Sequence, residues 1–259
     1  MKTAFLILGA QRSGTSVTSH LLSKFGVDFG SHKNFIQFAH NPIFFELDWV
    51  NEYNKKLINA LGYKYTDFFL PIEEDFAKAN TTEIEKKLHL AIADEWKGKN
   101  LICLKAPRIS LTFPIWEKVL LANDYQINII LAFRHPSGFL KSNKKLFHNW
   151  SNWTDTRHLN FWLQLNLAAI YFTRHFPVYY INYDCLMNAP LEKAKKLATS
   201  FNLDLSRAAN ASLVVNNSYY HHKQFAATSN PFVDNCYKLL CSHALSPADY
   251  LRLSQQCPT

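Results

Sequence analysis

Cationic side chains stand just past three short apolar runs. Arg12 follows Phe5-Leu6-Ile7-Leu8, the pair Lys105 and Arg108 follows Leu101-Ile102-Cys103-Leu104, and Arg134 follows Ile127 to Phe133, with Ser142 eight residues later. One such residue alone reads as a surface or ion-paired group. Three of them, on what the pattern predicts to be one edge of a sheet, point to a ligand with several anionic centres. Arg12 carries the most weight because of its setting, Gly9-Ala10-Gln11-Arg12-Ser13-Gly14-Thr15-Ser16. A buried strand, a glycine-punctuated polar loop and a helix in that order bring backbone N–H groups and a helix N-terminus onto an anion.

Gly9 and Gly14 have the glycine spacing of a Walker A loop, G-x-x-x-x-G-K-[ST]. Thr15 takes the place of the nucleotide-binding lysine, and the loop's only cation is Arg12. The missing lysine, with no recognisable Mg²⁺-binding aspartate, separates this loop from the phosphoryl-transfer machinery of P-loop enzymes.

The elements that must position these groups follow from periodicity. After the loop, Val17, Leu21, Leu22 and Phe25 recur at helical spacing until Gly26. Val27 to Phe29 reads as a short strand, Gly30 to Pro42 as a loop, and a helix runs through Leu57 and Leu61 to Gly62. Thr82 and Glu85 form a capping box for a helix bearing Ile84, Leu88, Ile92 and Trp96. A helix or turn covers Phe113 to Leu121, and another helix carries Phe139 and Ser142. A long apolar helix spans about Thr156 to Phe176. Val178 to Tyr183 is a strand, and Pro190 opens a helix. Strands alternating with helices predict an α/β fold: a single-domain, P-loop-type, doubly wound parallel sheet with helices on both faces. Ligands of such sheets collect beyond the carboxyl ends of the strands, where the polar motifs lie. We assign residues 1–205 to the core and 206–259 to a C-terminal helical extension on the same domain, with a final helix starting at Ser246-Pro247.

Composition bounds the function. The 259 residues suffice for a sizeable core, and the net charge of +8 calls for an anionic partner. Lys141, Lys144 and Lys145 are the densest cationic cluster and fit a solvated helix face, so nucleic acid is not singled out. Five cysteines without framework spacing suit a reducing compartment. The apolar start is too short for a secretory signal and lacks small cleavage-site residues, and no run approaches the ~20 residues of a membrane span. The expectation is a cytoplasmic protein without a transmembrane segment. His221 and His222 with Cys236 and Cys241 match no standard zinc spacing, so no metal is expected.

Gly9 to Ser16 resembles the 5′-phosphosulfate loop of PAPS-dependent sulfotransferases, in the arginine form of many bacterial and Golgi members. Arg134-His135-Pro136 with Ser142 is similar to their 3′-phosphate motif. Asn41-Pro42 to Glu46 resembles the N-P-x-G-[YF]-F-E element, and Lys105-Ala106-Pro107-Arg108 with Pro114 and Trp116 the K-D-P-R stretch. Tyr183-Asp184-Cys185-Leu186 with Pro190 is similar to the late Y-[ED]-D-L…P signature. The match is collinear over roughly residues 4 to 205. Ala106 and Phe44 depart from it, standing where an aspartate and a glycine are usual.

The resemblance implies PAPS as donor, PAP as product, no metal, and a hydroxyl-bearing acceptor, with a glycan or lipid-linked sugar favoured. Gln11, Arg12, Ser13, Gly14, Thr15 and Ser16 would hold the 5′ end, and Arg134 with Ser142 the 3′-phosphate. Tyr183 would contact the adenine or serve as a core residue. Arg12, assisted by Lys105, would meet charge on the bridging oxygen. Glu46 would be the general base, with His40 as the second candidate; the alternative for Glu46 is an ion pair with Lys105 or Arg108. Two other classes stay open: a P-loop kinase or NTPase-like protein, and a catalytically inactive nucleotide-binding protein.

Overall fold

The computed structural model describes residues 2–36, 44–146, 152–216 and 225–254. Four strands, β1 (Lys2–Leu8), β2 (Leu101–Lys105), β3 (Tyr125–Phe133) and β4 (Val178–Asn182), form one parallel sheet in the order β2-β1-β3-β4. The helices are α1 (Thr15–Lys24), α2 (Asp48–Ala60), α3 (Glu73–Lys78), α4 (Thr82–Glu95), α5 (Ile109–Ala122) and α6 (Pro136–Leu146). They continue with α7 (Asp155–Phe172), α8 (Tyr183–Asn188), α9 (Pro190–Ser200), α10 (Ala208–Ser212), α11 (Pro231–Cys241) and α12 (Pro247–Ser254).

Helices cover both faces of the sheet. α5 and α7 pack on one face, and α1, backed by α9 and α10, packs on the other. Phe5 meets Phe201, at the end of α9, edge-on at 4.9 Å. The alternation of a strand sends its neighbours Ala4 and Leu6 to the opposite layer. Because both faces are covered, Ala4 to Leu8 are solvent-free at every position, the continuous apolar run that marks a buried parallel strand. β1 leads to β2 on one side, whereas β3 leads to β4 on the other. The crevice opened by that reversal lies past the ends of β1 and β3, where Arg12 and Arg134 leave the sheet.

Several elements differ from the sequence reading. Val27 to Phe29 contributes only a bridge between Asp28 and Ile102. α5 starts at Ile109, four residues before the expected Phe113, and runs through Pro114. α4 is entered from Thr81, one residue before the expected cap, and the Thr81 hydroxyl donates to Glu85 at 2.7 Å. α7 stops at Phe172, four residues short of the expected end, where Thr173 turns its hydroxyl back onto the Ala169 carbonyl at 2.6 Å. α3 and α8 were not expected, Tyr183 opening α8 rather than ending the strand, and α10 and α11 fall in the stretch expected only to be a C-terminal helical extension. α11 has a readable start, for Asn230 caps it by accepting from the Phe232 and Val233 N–H groups ahead of Pro231. α12 begins at Pro247 as expected and packs on α7, with Tyr250 stacked on Tyr171 at 4.3 Å. Among the described residues no helix is long and apolar enough to cross a membrane.

Candidate active site

The glycine loop is held by close approach on both sides. Gly9 adopts φ +113°, and a Cβ there would lie 2.2 Å from the Ala132 carbonyl oxygen of β3. Its N–H donates to Ser110 Oγ at 3.1 Å. Gly14, at φ +93°, precedes α1, and a Cβ there would press to 2.7 Å on the Tyr183 ring. No side chain caps α1 and no acid occupies its first turn, so its leading N–H groups and positive dipole end are left for an anion. Arg12 sits between the glycines at φ +62°, a left-handed backbone that costs a non-glycine residue about 1–2 kcal/mol. Ser13 is fully buried, and its Oγ has no hydrogen-bond partner among the described residues.

Two guanidinium groups converge beyond this loop. Burial lowers the pKa of Arg12, the nearby Arg134 charge lowers it further, and Tyr183 opposes the shift. Arginine stays charged under such a shift, so two like charges share a poorly hydrated space. Arg12 Nε donates to Ser142 Oγ at 3.1 Å. Arg134, 5 % exposed, lies over the Tyr183 ring at 4.5 Å, with its Nε 3.8 Å from Asp184 Oδ1. Asp184 is fixed in turn by the His135 N–H at 3.2 Å, while its own N–H and that of Cys185 are capped by Asn182. Arg134 Nη2 is buried without a hydrogen-bond partner among the described residues. The sequence reading grouped Ser142 with Arg134; in the fold, Ser142 meets Arg12. Gly138 and Ser142 lie one turn apart on α6, so one helix face touches both arginines.

A second polar cluster lines the β2 side. Lys105, whose side chain is 1 % exposed, pairs with Glu46 Oε1 and donates to the Phe44 carbonyl at 3.0 Å and Ser16 Oγ at 3.3 Å. Lys105 thus ties the first turn of α1 to the chain entering α2. The other Glu46 oxygen accepts from Asn51 Nδ2 at 3.2 Å, and Asn51 Oδ1 accepts from Arg108 at 2.8 Å. The Arg108 guanidinium lies over the Tyr65 ring at 4.0 Å. Burial raises the pKa of the Tyr65 hydroxyl, so it stays protonated, and it donates to Gln11 Oε1 at 3.3 Å. Gln11 then reaches Asn143 on α6 at 3.4 Å, and Asn143 meets His158 Nδ1 at 2.9 Å. Gln11 therefore links the loop to α6 and α7 rather than standing free in the cleft.

No family model matches the chain, and no curated protein matches it. Solved structures of similar shape do exist. The sulfotransferase domain of the Synechococcus olefin synthase is 15% identical with a TM-score of 0.49, covering 99% of this chain and 94% of that one. A Mycobacterium avium sulfotransferase is 13% identical with a TM-score of 0.49, covering 98% and 76%. A putative kinase from Chloroflexus aurantiacus is 12% identical with a TM-score of 0.33, covering 70% and 87%. At such identities residue roles do not transfer.

The fold therefore gathers Gln11, Arg12, Ser13, Gly14, Thr15, Ser16, Lys105, Glu46, Arg134, Ser142 and Tyr183 around the ends of β1, β2 and β3. His40 lies outside the described residues, as do Asn41, Pro42, His221 and His222. Among the described residues no group of three His, Cys, Asp or Glu could hold a metal. Sequence reasoning missed Asp184 as the partner of Arg134, and Asn51 and Tyr65 as supports of Arg108. It also missed Gly138, where a Cβ would lie 2.9 Å from Arg134 Nε. Only the proximity of a glycine to the Arg134 motif hinted at it. If Arg134 holds a phosphate of the ligand, Gly138→Ala, which displaces it, is expected to weaken PAP binding by about tenfold, the loss of one charged hydrogen bond. Calorimetric titration with PAP checks this, and an unchanged affinity would count against that role for Arg134.

Proposed function

We propose that the protein is a PAPS-dependent sulfotransferase that moves a sulfuryl group to a hydroxyl acceptor, preferably a carbohydrate. What supports this reading most is the pairing of two desolvated arginines, Arg12 and Arg134, around an uncapped helix start in a loop without the Walker lysine. A metal-dependent nucleotide loop meets its ligand's charge with lysine and Mg²⁺; this one has guanidinium groups there instead. Arg134 Nη2 and Ser13 Oγ, buried and without hydrogen-bond partners among the described residues, fit a ligand with oxygens at two separated points.

PAPS, when bound, supplies the sulfuryl group and two anionic ends. The N–H groups of Ser13 to Ser16, with the Thr15 and Ser16 hydroxyls, would hold its 5′ end. Gln11 would keep that loop in place through Tyr65 and Asn143. Arg134 would take the 3′-phosphate in a bidentate fork. Ser142 accepts from Arg12 and so keeps its own O–H to donate to the same phosphate. Tyr183, under Arg134 and against Gly14, would present its ring to the nucleoside. Arg12, with Lys105 behind Ser16, would stabilise negative charge on the departing oxygen. Glu46 would take the acceptor proton, with His40 as the second candidate.

Thermal shift tests the donor class directly. PAP is expected to raise the melting temperature without Mg²⁺, while ATP with Mg²⁺ leaves it unchanged, and PAPS carrying labelled sulfate is expected to label a glycan acceptor. The reverse ligand pattern would assign the loop to phosphoryl transfer instead. Binding of PAP without transfer to any acceptor class would mark an inactive nucleotide-binding protein.

A further inference from the structure

Among the described residues, Arg108 is the cation of the cleft that the donor reading leaves without work. Lys105 has Glu46, Arg134 has Asp184, and Arg12 has Ser142. Among the described residues Arg108 makes one hydrogen bond, to the neutral Asn51, and lies on the face of Tyr65. No carboxylate pairs with it among the described residues, and its Nε is buried without a hydrogen-bond partner there. Nor can an acid come from the segments 37–43, 147–151 or 217–224, which contain no aspartate or glutamate. A charged fork stacked on an aromatic ring is preorganised, since stacking fixes its plane and leaves its edge free for a planar oxyanion. Asn51 ties that fork to Glu46, donating to the carboxylate and accepting from the guanidinium. Glu52 is in electrostatic range of Arg108 but pairs with Lys55, so Arg108, without an ion pair among the described residues, sits one amide away from the group proposed to take the acceptor's proton.

We propose that Arg108, braced by Tyr65 and Asn51, binds a carboxylate of the acceptor and thereby sets which hydroxyl reaches Glu46. The acceptor class is then an acidic carbohydrate, such as a uronic-acid-bearing glycan, rather than a neutral sugar. This inference rests on the sulfuryl-transfer reading for the identity of the acceptor, but the carboxylate site itself does not need it.

The test titrates the protein with methyl glucuronide and, separately, methyl glucoside, each with and without saturating PAP. The glucuronide is expected to bind at least about tenfold more tightly, the scale of one charge-assisted hydrogen-bonded contact, and Arg108→Gln is expected to abolish that preference. PAP affinity and the circular dichroism spectrum serve as the controls for folding. Arg108→Lys is expected to recover only part of the preference, because an ammonium lacks the planar fork. Equal binding of the two sugars by the wild type, or a preference that survives Arg108→Gln, overturns the proposal. Failure of PAP to bind, with the glucuronide preference and its Arg108 dependence intact, sinks the donor reading and leaves the carboxylate site standing.

Discussion

Arg12→Gly is expected to abolish sulfuryl transfer while leaving the unliganded protein as stable as the wild type, or more so. Both effects follow from one position. Arg12 holds a left-handed backbone that glycine adopts freely, and its guanidinium is desolvated beside Arg134. Removing it relieves backbone strain and a like-charge contact, and forfeits one hydrogen bond to Ser142. The catalytic loss is larger. Deleting a preorganised donor from a developing negative charge typically costs about 10²–10³ in kcat. Arg12→Lys should recover little, since an ammonium cannot reproduce the Nε contact that aims the fork. Melting curves of the free protein and single-turnover rates with PAPS read the two consequences separately. A stable Arg12→Gly variant with ordinary turnover would move the chemistry away from this loop. Strain and repulsion kept at one residue are what a site organised for its ligand, at some cost in stability, looks like.

The second large effect is expected at Glu46, and it separates two roles that the geometry allows. As the general base, Glu46→Gln lowers kcat by about 10²–10⁴ with PAP affinity retained. As the ion-pair partner of a Lys105 side chain that is 1 % exposed, the same change strands a buried ammonium and destabilises the fold by about 3–5 kcal/mol. The two outcomes combine, so stability is separated from chemistry by Glu46→Gln with Lys105→Met, which also removes the Lys105 ammonium placed behind Arg12. Replacing both members of a buried pair is close to neutral for stability, because no charge is left uncompensated. The double variant is expected to melt near the wild type and remain inactive. Recovery of turnover along with stability would reduce Glu46 to a structural partner and turn attention to His40.

Much of the fold was legible because buried parallel strands and their loops leave strong marks. Phe5 to Leu8, Leu101 to Leu104 and Ile127 to Phe133 are apolar runs too short for helices, each ending in a cation. Each is a strand of the sheet; Arg12 and Arg134 follow the two strands between which the strand order reverses, and Lys105 pairs with Glu46 beside them. What escaped notice depends on partners distant in the chain. Asp184 matters because it is 3.8 Å from an arginine fifty residues earlier, and Tyr65 because it carries the Arg108 guanidinium. Neither contact has a local periodicity. Ser142 was read with its neighbour in sequence, Arg134, yet the turn of α6 presents it to Arg12 across 130 residues of chain. The small helices were lost for the opposite reason. α3 and α10 bury few side chains, so their sequences show little amphipathic pattern to read.

The contact between Gly9 and the Ala132 carbonyl leaves no room for even a methyl group between β1 and β3. The glycine-loop end of the cleft is therefore fused to the middle of the sheet. Adaptation to new acceptors would have to be written into the segments flanking Glu46, Tyr65 and Arg108. A designer wishing to retarget the protein should hold the turn after β1 fixed and vary only that opposite wall.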